Sequence, residues 1–391
     1  MDAMEQLRIS RTANFKNVIS GKGKVDHIPH FGNYWSWKYY DAGYKLSEAL
    51  TDYNKMEDSV RQFVERYPMD ILVETGIRNP VKVTMPLQPT IPYIIDDDRY
   101  SLSVHDQAYM EDDEYDELIA NPRKYLWEKF LPRKFSVLRN DVNNVDFRDF
   151  IMRFLEFGNC MGNMEKIIAD HGMASLYRYL VVPSSYEYLF NWIRGMKDLS
   201  IDMHRRPGKV EAAIEALDET FILPKLAEEM NAPAGTDPTK CVDLYCNMPS
   251  HVTLSPKQFE RFYRPGLERI KTAVRERDRQ VFFFSEGSCI RFAEYFRDIP
   301  EGHAAILSEL DDPREMHKAL PNMVICAGPD SDLLANGTPE ENIAFAKSLI
   351  EDIGGEDHRF IFSPAKMVSF PTDCKRENLL AICNYLNNLK F

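Results

Sequence analysis

Short, almost wholly apolar runs alternate with amphipathic stretches through the second half of the chain. CVDLYCN from Cys241, VFFFSEG from Val281, AAILSEL from Ala304, MVICAGP from Met323 and RFIFSPA from Arg359 are apolar at nearly every position. That is the pattern of parallel strands buried on both faces. Between them, SPKQFERFYRPGLERIKTAVRERD repeats its apolar residues at helical intervals behind Ser255, a good N-cap. TPEENIAFAKSLIEDIGG starts on the cap Thr338 and stops at Gly354. IRFAEYFRD, DDPREMHKAL and CKRENLLAICNYLNNL fill the remaining helical places, which makes five strand–helix units in succession. The first half adds three more strands, DHIPHFG from Asp26, DILVETG from Asp70 and SLYRYLVVP from Ser175, with a helix from about Leu46 to Tyr67 between the first two. The total matches a closed (β/α)8 barrel of the TIM type, an α/β fold.

The alternation breaks between Pro80 and Gln107. VKVTM, TIPYII and YSLSV suggest a small antiparallel excursion with polar turns at Asp96–Asp98, and an acidic helix from about Glu111 leads on to Pro132. The expectation is one domain over residues 1–391, with an insertion at about 80–140 forming a lid or a side layer on an elaborated N-terminal half.

Composition narrows the partners. The chain has 48 Lys and Arg against 61 Asp and Glu, a net charge of −13. Such a surface repels phosphate backbones and anionic bilayers, so neither nucleic acid nor a membrane is expected as a partner. No run of apolar residues is long enough to span a bilayer and residues 1–20 carry no signal core, so the chain reads as cytoplasmic. The seven cysteines are scattered without a CxxC pair, which indicates buried reduced thiols rather than a disulfide framework or a zinc ribbon.

In a barrel of this kind the chemistry sits at the C-terminal ends of the strands. Those ends carry Asn33, Tyr34 and Trp35 after the first strand, Glu74 after the second, and Tyr245 and Asn247 after the fourth, with His251 close behind. Glu286 ends the fifth strand, Glu309 the sixth, Asp330 the seventh, and Ser363 with Lys366 the eighth. Glu286 follows VFFFS and precedes Gly287, so it would stand at a partly dry mouth, where a carboxylate must pair, bind metal or hold its proton. Asp330, in a turn-like PDS, suits a helix cap better. Tyr34, Trp35, Trp37, Tyr39 and Tyr40 form an aromatic cluster that either packs a lid or walls an apolar pocket. No nucleotide-binding glycine loop, HExxH pair or GxSxG elbow is present.

EGSCIRFAEYFRDIPEG from Glu286, AGPDSDLLANGTPEE from Ala327 and FIFSPA with PTDCKRENLLAI from Phe360 resemble the uroporphyrinogen decarboxylase superfamily. LSPKQFERFYRPGLERI from Leu254 and YMEDDEYDELIANP from Tyr109 resemble its methyltransferase-related branch. The resemblance covers nearly the whole chain and implies a (β/α)8 barrel. It brings two activities into view: porphyrinogen decarboxylation, and cobamide-dependent methyl transfer involving a corrinoid protein or coenzyme M.

Two departures separate them. The decarboxylases grip an octa-acid with arginines after the first strand, where this chain reads HFGNYWSWKYYDAG with none. The coenzyme M methyltransferases bind zinc through an HxC pair and a later Cys. The matching positions here are Phe284, Glu286 and Lys366, so a thiolate zinc site is not expected and zinc itself is left open. Any metal would rest on Glu286, Glu309 and Asp330; otherwise Lys366 pairs with Glu286, or a carboxyl stays protonated.

What the resemblance then implies is a donor-side methyltransferase, an O-demethylase component of anaerobic systems. It would move a methyl group from a methoxylated, aromatic small-molecule donor to the Co(I) corrinoid of a partner protein. The cobalamin must arrive on that corrinoid-binding partner, because the chain has no DxHxxG-type sequence. Glu286, Glu309, Lys366 and His251 are the candidate catalytic residues. Asn33, Tyr34, Trp35, Glu74, Tyr245 and Asn247 are the candidate substrate contacts. Two alternatives stand beside it. One is a decarboxylase of a small organic acid, marked by Lys366, Arg291 and Arg78 converging. The other is a non-catalytic corrinoid-protein-binding homologue, marked by a sealed Glu286–Lys366 pair.

Overall fold

The computed structural model describes residues 2–73, 81–89, 94–103, 106–140, 145–232 and 237–391. Its strands are β1 (Phe31–Gly32), β2 (Ile71–Leu72), β3 (Ile94–Asp96), β4 (Ser101–Ser103), β5 (Ser175–Val181), β6 (Lys240–Met248), β7 (Val281–Ser285), β8 (Ala304–Ser308), β9 (Val324–Ala327) and β10 (Phe360–Phe362). β5 to β10 form one parallel sheet in sequence order, and β1 pairs in parallel with β2. Single parallel bridges join the two pieces at both ends: His30 with Phe362, and Ile71 with Ala174. The amide of Phe362 donates to Pro29 O at 2.9 Å, and that of Ala174 to Asp70 O at 2.8 Å. The eight parallel strands thus close into a barrel, as the strand–helix alternation predicts.

Alternation along each strand divides the apolar residues into two sets. Phe31, Ile71, Tyr245, Phe282, Phe284, Leu307, Cys326 and Ile361 fill the interior. Leu244, Cys246, Phe283, Ile306, Ile325, Phe360 and Phe362 face the surrounding helices. Helix α1 (Ala3–Ser20) contributes Phe15, Val18 and Ile19 to the interior set and so plugs the barrel at its N-terminal end. Polar contacts fix the plug: Arg11 Nε lies 3.0 Å from the buried Asp70 carboxylate, and Arg11 Nη1 donates to Gly172 O at 2.8 Å. His27 pairs with the other oxygen of Asp70 at 3.1 Å.

Three local expectations change. Val81–Thr84 of VKVTM is a turn of helix rather than a strand, although the β3–β4 hairpin that follows is antiparallel as expected. IRFAEYFRD gives only a tight 3-10 turn, Ile290–Tyr295. The acidic segment from Glu111 is helical as expected but breaks at Asn121, into Tyr115–Ala120 and a continuous helical run from Pro122 to Lys134 with a wider turn at Leu126–Phe130. It packs beside the barrel: Glu114 takes a two-pronged contact from Arg133 at 2.7 Å, and Tyr115 donates to the buried Asp202 at 2.8 Å. Among the described residues no helix is long and apolar enough to cross a membrane.

Candidate active site

The interior face continues past the last apolar layer into polar residues. Two positions beyond Phe31, Tyr245, Phe284, Leu307 and Ile361 stand Asn33, Asn247, Glu286, Glu309 and Ser363. The two-residue period of a strand sends all five toward the same end of the barrel interior. Asn33 Nδ2, Asn247 Oδ1 and Ser363 Oγ are each buried without a hydrogen-bond partner among the described residues. Buried polar atoms left so are costly, and a cluster of them at a barrel mouth is what a ligand-binding surface looks like before it is filled.

Tyr245 forms the floor. Its ring stacks on Tyr177 at 5.1 Å between centroids, and on Phe282 and Phe284 at 6.0 and 6.1 Å. Burial, then Tyr177 and the charges of Glu286 and Glu309, hold its phenol well above the usual range. Both carboxylates therefore lie close enough to Tyr245 to act on it. Glu309 is oriented by the Gly287 amide, which donates to Oε2 at 3.1 Å. Gly287 has φ +81°, and a Cβ there would stand 2.7 Å from Val252 Cγ1, so this turn requires glycine. Asp311 clamps the same loop, accepting from the amides of Cys289 at 2.7 Å and Ile290 at 3.0 Å and from the hydroxyls of Ser288 and Ser308.

Other expected site residues lie elsewhere. His251 is fully buried behind the wall, between Tyr263 and Phe292. Its Nδ1 lies 2.8 Å from Met248 O and its Nε2 3.0 Å from Ser285 Oγ, and burial pushes the imidazole down to about 4. A neutral ring with both nitrogens occupied braces the β6–β7 corner. Lys366 pairs with Asp373 at 3.3 Å, and no ion pair joins it to Glu286, both being described residues. Asp373 draws the lysine because it is already fixed at 2.9 and 3.0 Å by the amides of Ser369 and Phe370. Neither a sealed Glu286–Lys366 pair nor a convergence of Lys366 with Arg291 is present, since Arg291 turns to Val252 O and the Phe292 ring.

Tyr34 packs away from the interior, against Trp37 and Phe63 in the outer core. Trp35 is buried and, one residue along the extended segment, takes the side that Asn33 takes. Glu74 and Arg78 lie outside the described residues. Asp330 caps the helix Ser331–Asn336 through the Leu333 amide at 2.8 Å. Replacing it with alanine should cost roughly 1 kcal/mol of stability and leave the rate of any reaction at the mouth unchanged. A denaturation curve and an activity assay on the same sample check both halves.

With Asp330 committed to a cap, the three-carboxylate metal set loses a member. Among the described residues no three His, Cys, Asp or Glu side chains come together in a way that could hold a metal ion. The seven cysteines are all buried, and Phe284 and Lys366 have no ligand chemistry suited to a dication, so the residues do not fit a thiolate zinc site.

Two contributors escaped the sequence reading. One is Asp311, whose position in SELDDP looks like a helix cap while it in fact serves the preceding loop. The other is Glu187, just past the end of β5. It is 2% exposed and accepts from Tyr263 Oη at 2.7 Å, Ser250 N at 3.2 Å and Asn191 Nδ2 at 3.3 Å. The strand-end rule that singles out Glu286 applies equally to SSYEY after β5.

Comparison with known proteins agrees with this architecture. A methyltransferase from Methanosarcina mazei has a similar fold, with a TM-score of 0.62, 14% identity, and coverage of 96% of this chain and 98% of that one. No curated protein sequence matches the chain. The sequence pattern of the uroporphyrinogen decarboxylase family, URO-D, matches residues 188–388, more than half of the chain and the stretch that holds Asn247, Glu286, Glu309 and Ser363. The chain therefore belongs to the uroporphyrinogen decarboxylase (URO-D) family.

Proposed function

We propose that this protein is a cobamide-dependent methyltransferase that takes a methyl group from a methoxylated aromatic compound and passes it to the corrinoid of a partner protein. The observation that carries the reading is the pair Glu286 and Glu309 beside Tyr245, next to Asn33 Nδ2, Asn247 Oδ1 and Ser363 Oγ, which lack a hydrogen-bond partner among the described residues. The M. mazei neighbour, itself a methyltransferase, supports the same class.

Breaking a methyl–oxygen bond leaves charge on the oxygen, and a carboxyl at the mouth can meet it with a proton. Glu286 is the group assigned that role, and Glu309, tethered by Gly287, sets the field around it. The Co(I) of the partner's corrinoid supplies the nucleophile, so this chain needs none of its own. The neutral amides and hydroxyl at Asn33, Asn247 and Ser363 suit an uncharged ether, and equally the amide-fringed edge of a corrin ring, better than a multiply charged acid. The aromatic floor of Tyr245 and Tyr177 offers a face for an arene.

The test is to mix the purified protein with cob(I)alamin and a panel of methoxyarenes and follow methylcobalamin by its absorbance. Methylcobalamin that forms only with protein and a methoxylated donor supports the reading. No methyl transfer from any donor, with decarboxylation of a small acid instead, overturns it.

A further inference from the structure

Glu187, Ser250 and Glu286 belong to the loops that follow β5, β6 and β7, three neighbouring strands of the barrel. Ser250 links the first two. Its amide donates to Glu187, and its hydroxyl accepts from Asn191 at 2.8 Å, the same amide group that reaches Glu187. The groups facing the Glu187 carboxyl are the Tyr263 hydroxyl, the Asn191 amide, the thiol of Cys246 and, from the next loop, Glu286. Tyr186 turns its hydroxyl to Thr253. Nearby Asp218 is engaged by Arg269 and by the Ser185 amide. Among the described residues no Lys, Arg or His forms an ion pair with Glu187.

A carboxylate buried this deeply without a cation is costly, and a second carboxylate beside it raises that cost. We propose that Glu187 is a positioning acid for Glu286, staying protonated behind the mouth so that the two carboxyls carry at most one negative charge, which falls on Glu286 each time it has given up a proton. When a protonated Glu286 gives its proton to the departing oxygen, the methyl–oxygen bond breaks with its electron pair going to that oxygen, the demethylated product takes the proton, and the methyl group would pass to the Co(I) of the partner's corrinoid. Glu286 is then the ionised member, and Glu187 keeps its proton. Reprotonation of Glu286 from solvent resets the pair. Burial first, and the charge of Glu286 last, push the Glu187 carboxyl up to about 7, with the hydrogen bonds from Ser250 and Tyr263 pulling the other way. Two such coupled groups titrate as a pair. The link to methyl transfer rests on the function proposed above; the coupling itself does not.

Infrared difference spectroscopy on the whole protein separates the two. Wild type minus Glu187→Gln should show a protonated-carboxyl C=O band at pH 6 that fades around pH 7. In the Glu286→Gln background the midpoint of that band should move toward acid, because its negative neighbour is gone. In wild type the methyl-transfer rate should fall as pH rises through about 7, and Glu187→Gln should flatten that limb, while Glu187→Asp should restore part of it. A Glu187 band that titrates in the ordinary carboxylate range, or a midpoint unmoved by Glu286→Gln, overturns the proposal. Should Glu187→Gln fail to fold, carbon-13 NMR of glutamate-labelled wild type and Glu286→Gln reads the same midpoint. Correct infrared behaviour without methyl transfer from any donor would sink the function proposed above and leave the coupling of the two carboxyls standing.

Discussion

Glu286→Gln should lower methyl transfer about tenfold or more without loosening the barrel. Glutamine keeps the size and polarity of the side chain but has no proton to give at the pH of the reaction. A tenfold loss corresponds to about 1.4 kcal/mol of transition-state stabilisation, a floor below the roughly hundredfold or more that a positioned acid typically supplies. The backbone of Glu286 is held independently of its carboxyl, since its amide donates to Met248 O at 3.3 Å. Thermal unfolding of the variant should therefore match wild type. The kinetic readout is kcat with saturating donor, because a loss confined to KM would point to binding alone. A variant as active as wild type would make the carboxyl structural and remove the ground for placing the chemistry between β7 and β8.

Gly266→Ala should be among the most damaging single-methyl changes in the molecule. Gly266 lies in the helix Arg264–Glu276, where that helix crosses the loop after β5, and a Cβ there would stand 1.9 Å from Pro183 O and 3.1 Å from Ser184 Cα. These are backbone atoms that no rotamer change can relieve. Overpacking of this kind costs roughly 3 kcal/mol or more, against about 1 kcal/mol gained because alanine suits a helix better. A clear fall in the denaturation midpoint is expected. Gly208→Ala is the matched control, also helical but with nothing within 4 Å of its added methyl, and it should be neutral or stabilising. Equal stability for the two variants would contradict the helix–loop contact. The one-turn helix Tyr186–Tyr188 that follows this loop carries Glu187, so the pH limb assigned to that residue should blur in Gly266→Ala even where the protein is folded.

The architecture was legible because parallel strands buried on both faces leave an unmistakable pattern: VFFFS, AAILS and VICA could be little else. β1 and β2 were harder. They are two residues each, and the barrel closes through them by single bridges. Their place came from counting units rather than from their own sequence. VKVTM misled because β-branched residues outweighed the loop context that winds them into one helical turn. At the mouth, the strand-end rule places Glu286, Glu309, Asn33 and Asn247 at one end of the barrel interior, as the structure does, since strand register alone decides which way they point. It misjudged His251 and Lys366, whose positions depend on what lies behind the strand. A histidine at a strand end reads the same whether it faces the mouth or, as here, fills a slot between Tyr263 and Phe292. Lys366 was assigned to Glu286 on proximity in the fold, yet the nearer Asp373, seven residues away along the chain, claims it. Glu187 depended on where a short helix begins, the least predictable feature of any sequence.

The closure of the barrel has a consequence for how the protein is made. β10 pairs with the segment before β1, and the residues after it are laced onto the first strand-end loop. Trp35 N donates to Val368 O at 2.8 Å, Val368 N to Asn33 O at 2.9 Å, and Ser36 Oγ to Ser369 O at 2.6 Å. Asn33, on the floor-facing side of that loop, is therefore set in place by residues translated more than three hundred positions later. While the chain is still on the ribosome, β1 and β9 are open sheet edges and the aromatic floor is uncovered. The mouth cannot exist until Val368 and Ser369 have been made, so the growing chain carries an unfinished ring through the synthesis of the other seven strands.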